Sequence, residues 1–154
     1  MRSLVKILAT AGGAGYSPIA PGTMGSAVGL LLGVVWPAQT LFPIQIIVLV
    51  GTFVLASLVS TAAERAFKTH DPSYVVIDEV WGMWAILAVR PDVVHVPWLL
   101  AAAFVGFRIF DVLKPPPLKW LSRAPEGWGI MLDDLGASAY TIGVLWLLTT
   151  LIGR

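Results

Sequence analysis

Cysteine is absent from this 154-residue chain, and histidine occurs only twice. The first absence excludes disulfides, thiolate metal sites and a cysteine nucleophile. Charge is also scarce. Only 12% of residues are Asp, Glu, Lys or Arg, against roughly 25% in a globular protein. Residues 7–63 contain no Asp, Glu, Lys, Arg or His at all. A small water-soluble domain keeps most of its residues near its surface and needs polar groups there, so lipid is the simplest solvent for such a stretch. A net charge of +1 offers no electrostatic footprint for nucleic acid.

What is present is apolar: 57% of the residues are hydrophobic. A membrane-crossing helix needs about 20 such residues. Segments 44–63 and 135–152 meet this requirement, and the uncharged segment 25–41 is expected to cross as well. Gly25, Gly29 and Gly33 form a small-residue stripe on that segment, suited to close helix packing. Segments 75–89 and 97–112 are shorter and carry charges, with Pro91 and Pro97 marking the turn between them. Residues 80–89 alone reach only about halfway through a bilayer and suit a re-entrant helix equally well. The N-terminal Met1-Arg2-Ser3-Leu4-Val5-Lys6 has the basic start of a signal peptide. The apolar run 7–11 that follows is shorter than the ~7 to 15 residues of an h-region, so the N-terminus is expected to be retained. The expectation is an all-α, polytopic membrane helical bundle, one domain over residues 1–154, with about four to five transmembrane or half-spanning helices.

Counting five crossings puts the polar clusters on one side. Arg2, Lys6, Arg65, Lys68, Arg108, Lys114, Lys119 and Arg123 fall there, while Arg90 and Arg154 fall on the other. The bias makes the crowded side cytoplasmic. The same side collects Glu64, Asp71, Asp78, Glu79, Asp111, Glu126, Asp133 and Asp134, with Asp92 opposite. Carboxylates at a membrane boundary are costly unless paired or bound to a cation.

Some of these have ordinary readings. Glu64 and Lys68 are spaced as a surface i,i+4 pair, and Glu126 reads as loop surface. Asp133 or Asp134, taken to lie at the start of the last helix, reads as an N-cap, although one carboxylate suffices for that. Arg108, Asp111 and Lys114 share a helical face, which suits either a self-neutralising ladder or an anion site beside a metal ligand. The triple proline 115–117 stops that helix and holds Lys114 against a stiff turn. Residues 16–26, rich in Pro, Gly and hydroxyls, run into a helix whose start suits phosphate; Thr23 or Ser26 serves equally as a plain N-cap. Residues 12–15 lack the spacing and Lys of a nucleotide-binding loop. Hard oxygen ligands without Cys or clustered His suit Mg²⁺. Together with Arg, Lys and hydroxyls they are equipment for phosphoryl chemistry at a lipid surface.

Four blocks in order resemble the phosphatidylglycerophosphatase A family: Gly13-x-Gly15-x-Ser17-Pro18-x-x-Pro21-Gly22-Thr23-x-Gly25-Ser26, Asp71-x-x-x-Val75-Val76-Ile77-Asp78-Glu79-x-x-Gly82, Phe107-Arg108-x-Phe110-Asp111-x-x-Lys114-Pro115-x-Pro117 and Gly127-x-Gly129-Ile130-Met131-x-Asp133-Asp134. One departure is Gly136-Ala137, where the family pattern leads us to expect the reverse order; it concerns helix packing. The resemblance implies a Mg²⁺-dependent phosphatase of a bacterial inner membrane that converts phosphatidylglycerophosphate to phosphatidylglycerol.

On that basis Asp78, Glu79, Asp111, Asp133 and Asp134 are expected to hold one or two Mg²⁺ ions, with Asp71 as an outer ligand. Asp78, Glu79, Asp111 and Asp134 form the catalytic set. Thr23, Ser26, Arg108 and Lys114 are expected to hold the phospholipid substrate. Direct water attack and a covalent aspartyl-phosphate both remain open, as do oligomeric state and acyl-chain preference. Histidine-dependent lipid phosphatases fit poorly, because His70 and His95 fall on opposite faces. The rival from another class is a small ion-coupled transporter or channel, which would place its charges near the middle of the spans. A structural or assembly subunit is a weaker rival, since it gives no reason for charge concentrated within motif-like blocks on one face.

Overall fold

The computed structural model describes residues 2–36, 42–69 and 72–152. His70, Asp71 and Arg154, and positions 37–41 of the first expected span, lie outside them. The elements are α1 (Arg2–Ala9), a 3-10 segment (Ala11–Tyr16), α2 (Pro21–Val35), α3 (Phe42–Phe67), α4 (Ile77–Val89), a 3-10 turn (Pro91–His95), α5 (Pro97–Leu113), the single turn α6 (Leu118–Leu121) and α7 (Gly127–Ile152). Among the described residues there is no strand, in keeping with the all-α expectation.

The helix at the centre is α4. Residues 81–88 are all buried, as expected for a helix apolar on every side. Helices α2, α3, α5 and α7 pack around it. Met83, Ile86 and Leu87 meet Leu99, Ala103 and Phe107 of α5 and Ala137 and Leu145 of α7 in the main core. At 13 residues, α4 is about 20 Å long, short of a ~30 Å hydrocarbon core.

The glycine stripe of α2 faces this central helix. A Cβ at Gly25 would lie 2.7 Å from Val76 Cβ, one at Gly29 2.3 Å from the Val80 carbonyl oxygen, and one at Gly33 2.5 Å from Leu87 Cδ1. The stripe is helix packing, as its spacing suggested. Polar ties inside the bundle are few: Trp81 Nε1 donates to the Leu49 carbonyl (3.3 Å) and to Thr52 Oγ1 (3.2 Å). Ser138 Oγ donates to the Gly82 carbonyl (3.0 Å).

Among the described residues, two helices are long and apolar enough to cross a membrane, spanning Pro43–Phe67 and Gly127–Ile152. Only 33% and 28% of their apolar windows are buried, whereas the core helix of a soluble protein would be mostly covered. Ile47, Leu55 and Leu58 on α3 and Trp146, Leu147 and Leu151 on α7 face outward. An apolar exterior of this kind is consistent with membrane association.

Several boundaries differ from expectation. Helix α2 begins at Pro21 and runs 15 residues to Val35, so it starts earlier than segment 25–41. Its N-cap is Ala20, with φ 48°. Thr23 and Ser26 therefore lie inside the helix, and the N-cap reading for them is corrected. The larger correction concerns α7, which starts at Gly127 rather than at the paired aspartates. Asp133 and Asp134 are its seventh and eighth residues, beyond the first turn whose free N–H groups a cap satisfies.

Candidate active site

Four helices converge on one cavity of about 360 Å³. The N-terminus of α2 brings Ala20, Pro21 and Gly22, and the first turn of α4 brings Asp78 and Glu79. Helix α5 brings Arg108 and Asp111, its C-cap brings Lys114, and α7 brings Asp133 and Asp134. Acidic side chains in a first helical turn sit at the positive end of the helix dipole, which favours Asp78 and Glu79 where they are.

The two cations of this set are held by the carboxylates. Arg108 Nη1 donates to Asp111 Oδ2 at 2.7 Å and lies 3.7 Å from Glu79 Oε1. The same nitrogen is 3.5 Å from Ser26 Oγ, which donates to the Gly22 carbonyl at 2.9 Å. Lys114 ends α5 in a left-handed conformation, φ 47°, and its Nζ pairs with Asp133 Oδ2. Burial pulls the Lys114 pKa down, but the hydrogen bond to Asp133 and the charges of Asp133, Asp111 and Asp134 outweigh it and hold the pKa above its ordinary value. The i,i+3 ladder thus covers only Arg108–Asp111; Lys114 joins α5 to α7 instead.

Gly22 is small for a local reason. A Cβ there would lie 2.1 Å from Glu79 Oε1 and 3.0 Å from Arg108 Nη2. A residue without a side chain lets the start of α2 close over this carboxylate–guanidinium pair without pushing either tip aside.

The acidic groups form two overlapping sets, Asp78–Glu79–Asp134 and Asp111–Asp133–Asp134, each with one oxygen per residue within 4.8 Å of the others. Asp134 belongs to both. Asp78, Asp133 and Asp134 are buried. Five carboxylates and two cationic side chains, Arg108 and Lys114, line this cavity. Glu79 Oε2 and Asp134 Oδ2 are buried without a hydrogen-bond partner. Buried polar atoms are rarely left so, and a metal ion held by these oxygens would satisfy both. The residues present therefore fit a metal ion.

The sequence pattern of phosphatidylglycerophosphatase A matches residues 7–149. The chain belongs to the phosphatidylglycerophosphatase A family. Proteins named phosphatidylglycerophosphatase A from Escherichia coli and Haemophilus influenzae are 37% and 35% identical to it, over 92% of this chain and 81% and 86% of theirs. A Bacteroides thetaiotaomicron protein that carries a provisional name as a phosphatidylinositol-3-phosphatase is 34% identical, over 96% of this chain and 94% of its own. No solved structure matches the chain.

In this phosphatidylglycerophosphatase A family member, the residues singled out from sequence fall into two groups. Asp78, Glu79, Asp111, Asp133, Asp134, Arg108 and Lys114 line the one cavity. Ser26 is buried beneath it and touches it through Arg108. Thr23 does not line it. The helical twist of α2 turns Thr23 onto a separate groove that it shares with Arg108 and the outer face of α5. Glu126, read as bare loop surface, pairs with Arg65 at 2.6 Å, both largely exposed. Gly136 packs against Leu118 Cδ1 of α6, where a Cβ would lie 2.9 Å away, so the reversed Gly136-Ala137 order sits at a packing contact.

Sequence reasoning missed Ser73 and Ser122, which also line the cavity. Both lie between helices, and an isolated loop serine carries no periodic signal. The role of Gly22 was legible only as part of a motif.

Proposed function

We propose that this protein is a membrane-embedded, Mg²⁺-dependent phosphatase that hydrolyses the phosphomonoester of phosphatidylglycerophosphate to give phosphatidylglycerol and phosphate. The observation that carries the reading is the cavity in which five carboxylates from three helices surround Arg108 and Lys114, in a chain of the phosphatidylglycerophosphatase A family. Family membership also weighs against the transporter or channel reading.

Asp78, Glu79, Asp111, Asp133 and Asp134 would hold the metal, and an all-oxygen donor set favours Mg²⁺ over the softer ions. Bound Mg²⁺ supplies charge neutralisation and lowers the pKa of water beside the phosphate. Arg108, oriented by Asp111 and Glu79, and Lys114, oriented by Asp133, stabilise the charge that grows on the phosphoryl oxygens. Water attacks phosphorus in line with the ester oxygen, the P–O bond to the glycerol breaks, and the carboxylate set takes up the proton the water loses and passes it to the departing glycerol oxygen. The start of α2, where Pro21 has no N–H, offers the Gly22 N–H and a positive dipole end to the same phosphate. The bundle crosses a bacterial inner membrane four or five times, counting α2, α4 and α5 as full or partial spans, with this cavity on the cytoplasmic side.

The test is phosphate release from phosphatidylglycerophosphate by purified protein, before and after exhaustive chelation and again after Mg²⁺ is restored. Turnover that is lost and then recovered supports the reading; turnover that survives chelation overturns the metal assignment. A trapped phosphoenzyme overturns direct water attack in favour of an aspartyl-phosphate. The Bacteroides relative supports a second reading, a phosphoinositide monoester as substrate. Assaying both lipids side by side separates the two by their kcat/KM.

A further inference from the structure

We propose that the groove between α2 and α5 is the lateral entry through which the lipid end of the substrate reaches the carboxylate cavity; this rests on the lipid-phosphatase reading above. The groove has a volume of about 500 Å³. Its walls are Thr23 of α2 and Phe104, Val105, Ile109 and Val112 of α5, and Arg108 lies between it and the cavity. One guanidinium therefore borders both an apolar slot and the acidic site.

Three observations point to an anionic phospholipid as the occupant. First, the groove and the polar cavity share Arg108 as a lining residue, so a lipid lying in the groove would bring its phosphate to that cation. Second, among the described residues the only other polar side chain on its walls is that of Thr23. A single donor beside a guanidinium suits the phosphodiester or ester oxygens between headgroup and acyl chains. Third, the groove walls are apolar on both sides of Arg108, from Phe104 to Leu113. Val105, Ile109, Val112 and Leu113 are exposed, as side chains that contact acyl chains must be.

The assignment gives Thr23 a place its sequence context did not suggest: contact with the lipid portion rather than with the reacting phosphate. The experiment compares the diacyl substrate with its deacylated, water-soluble form, which keeps both phosphates and lacks the tails. Val105→Trp and Ile109→Trp fill the slot. Each is expected to lower the ratio of kcat/KM for the diacyl form to that for the deacylated form by about tenfold, since binding energy from remote parts of a substrate is lost when their site is blocked. Ile47→Trp, on the outer face of α3, is expected to keep the wild-type ratio. An unchanged ratio in the groove variants, or an equal change in Ile47→Trp, overturns the groove. Wild-type protein that cleaves neither substrate overturns the phosphatase reading instead.

A second readout does not depend on turnover. The chain has no cysteine, so Val105→Cys carries the only thiol. Phosphatidylglycerol micelles are expected to slow its labelling by a small maleimide, and phosphatidylcholine micelles are not. Equal protection by the two lipids overturns selective occupancy.

Discussion

Asp134 is the residue on which the site turns. It is 2% exposed, it belongs to both acidic sets, and one of its oxygens has no hydrogen-bond partner. A buried carboxylate in that position persists only if something positive answers it. Asp134→Asn keeps the shape and removes the charge, so it should cut phosphatase activity by more than about 100-fold while leaving the protein inserted and folded. Asp111→Asn should do the same and, in addition, release Arg108 from its 2.7 Å contact. Full activity in either variant, measured as phosphate release, removes that residue from the metal shell. Gly22→Ala is the subtler change. Its methyl must displace either Glu79 or Arg108, and misplacing a catalytic group by about 1 Å costs on the order of 10²-fold in rate. The expected outcome is loss of kcat with little change in thermal stability.

Helices place these residues by simple geometry. Helix α4 carries Asp78 and Glu79 at its start and is buried along most of its length, so its position sets theirs. It is fixed on one side by the glycine face of α2 and on others by Trp81 reaching Leu49 and by Ser138 reaching Gly82. Gly29→Leu would drive a side chain into the Val80 carbonyl. Overpacking of this kind typically costs 1–3 kcal/mol, here about 2 kcal/mol, and should lower the melting temperature in detergent. Gly51→Leu is the matched control, because nothing lies within 4 Å of a Cβ at Gly51. Equal destabilisation by both would mean that the α2–α4 contact is not what holds α4. The second role of α2 is to present Thr23 and Gly22 to different compartments, one residue apart, which helical twist makes unavoidable.

For the whole molecule, the prediction concerns topology. The proposed count of five crossings, from a cytoplasmic N-terminus, would put the C-terminus on the far side. A reporter fused after Arg154 should therefore read as external, and one inserted in the loop after α5 as cytoplasmic. The Arg90–Asp92 pair, bidentate at 2.8 and 2.7 Å, marks the turn opposite the active site. A cytoplasmic C-terminal reporter would require an even count, with α4 or α2 entering the bilayer without crossing it.

Much of this was legible in the linear chain. Helical class and the apolar segments follow from local composition, which needs no tertiary contact. The acidic residues that line the cavity were readable as a group because the motif blocks carry them in order. Other features depended on how helices pack. Asp133 looked like a cap because the last apolar span was counted from residue 135, yet α7 already includes Gly127 and Gly129. Both glycines sit against backbone, at Thr61 and Ala124 respectively, and close packing there rewards a missing side chain. Helical periodicity tells which residues share a face, but not what that face meets. That Lys114 answers Asp133 across two helices, that Thr23 leaves the cavity for a groove, and that a short α4 forms the centre were decided only by tertiary packing.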